Sequence, residues 1–513
     1  MLESARFALY TFAMSAFTVV SFATQEVTPL AKPIRGPIGF RSFAEAFPDL
    51  PIPGIVDPTD FPGDERRLRR IGRSRALVEV VRRIAPSRTA PVPADERAFL
   101  ATVYPWLMSK AWPKPPATPP RLRTAPSGPS ADLLAELAVD GPFASYLRAA
   151  MGPDGAPTGE YLIDVDWMLD YPVRAGLAAP GGIAYFAVDG QGLQTVGLTR
   201  NGSTVPVADW RGRQLEKDAL LAGLNEDLTT FRHNLFVHLA TMTPFALASS
   251  NTLDTDHPIR RLLHHCFHTV LVGNRELATF QLGGRTAFGA TIFSHDHTAL
   301  TQMAAARLQH YDFWDLEPDR QFSTRGTTVT PFAYPYRDNV LELWAVNLAY
   351  VRRYLAAYFD DESWQADGQV SAWLDQLDVL LPNGLGSRGT SVEWLARLCA
   401  TVIHVSTVEH DVLNNLTWDY STLSWLIPTV APENGDRMDR RRAFDLIATL
   451  IVTWKPYNML LTADVPSLAL DDAARAVMEE WITALSAVQV RMVQRGVQPS
   501  LSYPANLNVS ISN

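Results

Sequence analysis

His233 and His238 stand five residues apart in a stretch, 231–242, that otherwise reads as one buried helix. Five residues of an ideal α-helix turn through about 140°, so the two rings cannot share a face of it. They converge only where the helix widens and its hydrogen bonds span five residues, the π-type turn that gathers at functional sites. The spacing therefore predicts either a local distortion through 231–242 or two unrelated polar side chains on a core helix. Eleven histidines make a chance pair at this spacing common.

His410 and Asn414 are four apart, about 40° round a helix, and do share a face. Taken alone they read equally as a surface histidine and a capping or core amide. Neutral imidazole is a good ligand for iron, and an amide oxygen is a weaker one that leaves a metal reactive. The sequence closes on Ser510-Ile511-Ser512-Asn513, where Asn513 offers its own carboxylate. Two histidines, a histidine with an amide, and a carboxylate make the mixed N/O donor set of a redox-active non-haem metal.

The other histidines carry less. His264 and His268 would share a face of a helix opened by Pro258, but no Glu stands in a His-Glu-x-x-His arrangement, so a zinc-hydrolase site is unsupported. His295, His297 and His404 read as loop and helix polar residues. Gly384-Leu-Gly-Ser-Arg-Gly389 fits the dinucleotide-binding pattern without the βαβ unit that gives it meaning. It reads instead as a lead-in to a helix starting near Thr390, with Glu393 completing a capping box. No Gly-x-Ser-x-Gly occurs, which weakens a serine-hydrolase reading.

Composition bounds the rest. The 513 residues are 47% apolar and 19% charged, enough for a sizeable core. A net charge of −9 with no long basic run argues against a nucleic-acid partner. Cys266 and Cys399, far apart in apolar helical patterns, exclude a disulfide scaffold and a cysteine-rich zinc site. Residues 1–24 carry an apolar run that reads either as a signal peptide, implying secretion or a periplasmic location, or as an N-terminal lid helix of a cytoplasmic protein. Residues 25–130 are rich in proline, with a helical patch at 65–84, and read as an extended segment wrapped over a core.

Residues 131–513 then form that core. Residues 183–188 and 193–198 flank Asp189-Gly-Gln-Gly192 as a hairpin. Beyond Leu220 the chain is helical. Helices are expected at 340–359, from Pro258 with Ile259, Leu262, Leu263, Cys266, Phe267, Val270 and Leu271 inward, and from Asp471 or Asp472 to Gly496. The last has Val477, Trp481, Leu485, Val488 and Met492 on its buried stripe. The fold class is mainly α, one large helical domain with a small antiparallel β element.

In this order the motifs resemble the catalytic domain of lipoxygenases. Beside the two histidine segments stand Pro244-Phe245 and Ala248-Ser249, then His257-Pro-Ile-Arg-Arg-Leu-Leu263 closing at Gly273-Asn274. Tyr334-Pro-Tyr-Arg-Asp338, Leu343-Trp344 and Tyr354 follow, and the hairpin near Tyr185 also has a counterpart. The resemblance covers roughly 160–513 and lacks the family's N-terminal lipid-binding β-barrel. It implies His233, His238, His410, Asn414 and the carboxylate of Asn513 as ligands of a single iron, manganese being compatible with the same donors.

It also implies a reaction: hydrogen abstraction from a polyunsaturated fatty acid by a ferric hydroxide, then O2 addition to give a hydroperoxide, with transient contact to membrane surfaces. No catalytic side chain is implied beyond the metal-bound hydroxide. Gly284 falls where the family's stereocontrolling small residue stands, glycine going with R products; it also reads as a plain helix terminator. The chain departs from the family further: Asn513 replaces an apolar terminus, the His238–Pro244 spacing is one residue longer than usual, Ala278 stands where arginine is expected, and the family's N-terminal substrate-channel signature is not recognisable in residues 24–130. Rival readings are a lipoxygenase-fold enzyme acting on another substrate, such as a hydroperoxide isomerase or a specialised-metabolite oxygenase, and a metal-free lipid-binding protein.

Overall fold

The computed structural model describes residues 2–23, short stretches between 30 and 55, and then 133–152, 157–190, 192–206, 213–278, 282, 292–416, 427–435, 459–496 and 503–511. The helical patch expected at 65–84, Gly284 and Asn513 lie outside the described residues.

The hairpin is present and belongs to a larger sheet than expected. After a two-stranded pair, β1 (Phe40–Ser42) and β2 (Pro53–Ile55), five strands run antiparallel in chain order. They are β3 (Arg148–Met151), β4 (Pro157–Asp164), β5 (Ile183–Asp189), β6 (Gly192–Arg200) and β7 (Ser203–Pro206). Asp189 pairs with Gly192 at the tip, and Gly192 takes a φ of +114° that a side chain would resist. Along β5, Ala184 and Phe186 are fully buried while their neighbours are half-buried, the period-2 signature of a sheet with one covered face.

The sheet meets the helical body at a backbone-to-backbone approach. Gly181 donates its N–H to the Ala219 carbonyl at 3.0 Å, in the helix Gln214–Glu226. A Cβ on Gly223 would stand 2.7 Å from the Gly181 nitrogen, so only glycine permits the contact.

One apolar core reaches from Phe7 and Tyr10 on the N-terminal helix Leu2–Ala23 to Ile511. The helix Pro335–Ala356 crosses its centre and packs on both Val392–His404 and Asp472–Gln494. Asp471 caps the last, accepting from the Ala474 N–H, and the buried stripe is Ala474, Met478, Trp481, Leu485, Val488 and Met492. Val477 lies only partly buried, beside the stripe. Among the described residues no helix is long and apolar enough to cross a membrane.

Two helix expectations need correction. The Pro258 helix is short, Pro258–Leu263, followed by a tight 3-10 turn at His264–Phe267 and a new helix Val270–Leu277. The 3-10 turn and the non-helical backbone of His268 keep His264 and His268 from stacking on one α-helical face, and Thr269, with a φ of +55°, then separates the two helices. The helix after Gly389 is capped by Ser391, whose side chain accepts from the Trp394 N–H, not by Thr390. Glu393 is thus one position too early for a capping box, and pairs with Arg352 at 2.8 Å.

Candidate metal centre

The helix carrying His233 and His238 is a π-helix over Asp227–Met242. Its hydrogen bonds reach back five residues, so side chains five apart lie nearly above one another. Two threonine hydroxyls support the wide turns by donating to carbonyls five residues back. Thr241 bonds the Phe236 carbonyl at 2.6 Å and Thr243 the His238 carbonyl at 3.0 Å. A second π-turn, Val405–Glu409, runs into the helix His410–Leu416 and re-aims it, so that His410 faces the first pair.

The three rings converge. Their centroids are 4.7 Å apart for His233–His238 and 5.0 Å for each to His410. One nitrogen of each lies within 4.8 Å of the others, all three residues being buried. His233 Nε2 and His238 Nε2 stand 3.1 Å apart. Burial, and then the neighbouring imidazoles, hold His233 well below the ordinary histidine value, and burial chiefly does the same for His238. Neutral imidazole is the form that binds a metal.

The surroundings fix which nitrogen carries the proton. Asn274 donates its amide to the His238 carbonyl and to Thr243 Oγ1, both at 2.7 Å. That orients the Asn274 oxygen, 2.8 Å from His238 Nδ1, as an acceptor. His238 therefore carries its hydrogen on Nδ1 and turns the Nε2 lone pair to the shared space. His410 is set in the same sense by Asp411, whose Oδ1 lies 3.1 Å from His410 Nδ1.

Asn414 sits one turn beyond His410, buried, with its Nδ2 lacking a hydrogen-bond partner among the described residues. Three converging imidazoles and a buried amide at helical spacing fit a metal ion that takes nitrogen and oxygen donors, which these residues would hold. Nothing in the described structure places Asn513 or Gly284.

A recess of about 300 Å³ is lined by Phe236, Val237 and Leu316 together with the charged Arg232, Arg307 and Glu409. None of the three histidines lines it. His295, read as a loop residue, is fully buried, and its Nδ1 lies 2.9 Å from Glu226. Asn274 reaches His238 across 36 positions of sequence, a pairing no local pattern announces.

The mainly helical body with its small antiparallel sheet matches solved lipoxygenase structures. The fold matches the crystal structure of coral 8R-lipoxygenase with a TM-score of 0.75 at 15% identity, covering 93% of this chain and 79% of that one. Among curated proteins, linoleate 9S-lipoxygenase B of Solanum lycopersicum is 26% identical over 230 residues, 40% of this chain. The human hydroperoxide isomerase ALOXE3 is 24% identical over 201 residues, 38% of this chain. The matched segments span about a quarter of these curated relatives, 26% and 27% of their lengths. No family model matches the sequence. The chain thus shares the fold of lipoxygenase structures and is similar over part of its sequence to curated lipoxygenases.

Proposed function

We propose that this protein is a lipoxygenase-type dioxygenase that inserts O2 into a polyunsaturated fatty acid or related lipid to give a hydroperoxide. The observation that carries the reading is the convergence of His233, His238 and His410 inside this fold. With the Asn414 amide oxygen and a carboxylate from Asn513, they would hold a single iron. When bound, the metal would supply one-electron redox chemistry for breaking a C–H bond between two cis double bonds, which is weak because the resulting radical is delocalised.

The chain's own residues set the conditions for that step. Burial keeps His233 and His238 neutral. Asn274 holds the lone pair of His238 toward the centre. The surrounding core excludes water, so reactive species are not quenched. Gly284 is proposed to set the face of oxygen addition, and the chirality of the hydroperoxide reads that role directly.

A conjugated-diene absorbance assay with linoleic and arachidonic acids under oxygen tests the proposal. Diene growth matched by dioxygen uptake is the expected result. Bound iron without diene formation, but with turnover of an added lipid hydroperoxide, would favour an isomerase, a reading supported by the match to the human hydroperoxide isomerase. Absence of bound metal would favour a lipid-binding protein. A single glycine appended after Asn513 is expected to abolish dioxygenation by moving the carboxylate away. Unchanged activity in that variant would remove Asn513 from the ligand set.

A further inference from the structure

Asp411 is fully buried, and among the described residues its carboxylate is met by His410 and Asn508. Oδ1 lies 3.1 Å from His410 Nδ1 and accepts from Asn508 Nδ2 at 2.9 Å. Oδ2 accepts the backbone N–H of Asn508. Asn508 is itself buried, in the strap 503–511 that crosses the back of the His410 helix. The strap is tied along its length: Leu460 donates to the Leu507 carbonyl at 2.7 Å, and Ser510 Oγ donates to the His268 carbonyl at 2.9 Å.

Among the described residues no lysine or arginine pairs with Asp411. A buried carboxylate is favoured by a positive centre close by. The space beyond the His410 ring is where such a centre would stand. Carboxylates that accept from the remote nitrogen of a ligating histidine fix its tautomer and raise its basicity.

We propose that Asp411 and Asn508 form a latch. It orients His410 with its Nε2 lone pair inward, places a negative charge behind the metal, and docks the strap 503–511 to the helix that bears the ligand. Asp411 is a positioning residue that acts through His410. The tuning half of the inference rests on the metal-centre reading above; the docking half stands without it.

The test separates the two halves with three variants of the full chain. Asp411→Asn keeps an oxygen acceptor but removes the charge. It is expected to weaken metal binding roughly 10–100-fold in chelator competition while leaving amide exchange in 503–511 close to wild type. Asn508→Ala keeps the charge and frees the strap, so exchange there should rise about tenfold or more with a smaller loss of metal affinity. Asp411→Ala should show both effects.

A purely structural role would move the two readouts together in all three variants, and that result overturns the latch. Metal affinity within twofold of wild type in Asp411→Asn overturns the tuning half. Unchanged strap exchange in Asp411→Ala overturns docking. If the wild-type protein itself holds no metal, the metal-centre reading falls and takes the tuning half with it, while strap exchange still decides the docking half.

Discussion

Replacing His238 with alanine is expected to leave the protein folded and without metal, and so without dioxygenation. His238 is the most thoroughly set of the three imidazoles: its Nδ1 is engaged by Asn274 and its Nε2 lies 3.1 Å from that of His233. Alanine deletes one of three imidazole donors, and the amide and carboxylate proposed to complete the set are weaker or harder partners for iron. The cut is deep because only His233 and His410 then remain as imidazole donors. Asn414→Ala is expected to be milder, since an amide oxygen contributes less than an imidazole. Elemental analysis of both purified variants, with circular dichroism to establish folding, reads the difference. A folded His238→Ala protein carrying as much iron as wild type would remove His238 from the site.

The second large effect falls far from the chemistry. Trp481 lies flat on Tyr350, with centroids 4.4 Å apart and ring planes within 9°, and its indole N–H donates to Asn347 Oδ1 at 2.9 Å. It is 2% exposed and joins the helix Asp472–Gln494 to Pro335–Ala356. Truncation to alanine forfeits a large buried ring, leaves a void and strands an acceptor, so Trp481→Ala is expected to cost about 3–5 kcal/mol of stability. Trp481→Phe keeps most of the volume but still strands Asn347, at a cost of about 1–3 kcal/mol. Denaturant unfolding of both variants measures the costs, and equal stability of the two would show that the ring volume is not what matters there.

The parts of this fold legible in the sequence are those governed by local geometry. The five-residue gap between His233 and His238 implies a widened helix because no ideal turn brings such rings together, and the π-helix Asp227–Met242 is the result. Pro258 and Asp471 mark helix starts through their own stereochemistry, and both stand there. What escaped is set by partners distant in sequence. Strands as short as Arg148–Met151 have too few residues for an alternation to register, so a five-stranded sheet read as a single hairpin.

Thr269 looks like an ordinary helical residue until its positive φ separates the two helices. The acceptor that sets the His238 tautomer lies 36 positions away, and Asn508 lies 97 positions from Asp411. No periodicity within either segment could have linked them. Asp411, adjacent to a candidate ligand histidine, does not stand out in the sequence either, because its role shows only in its contact with the distant Asn508.

The central claim is that His233, His238 and His410 enclose one redox-active metal. Crystals of the purified protein, measured with X-rays just above and just below the iron absorption edge, test it most directly. One anomalous-difference peak per chain is expected, at bonding distance from His233 Nε2, His238 Nε2 and His410 Nε2. No peak at that position in a protein that carries iron, or a peak held by other residues, would contradict it.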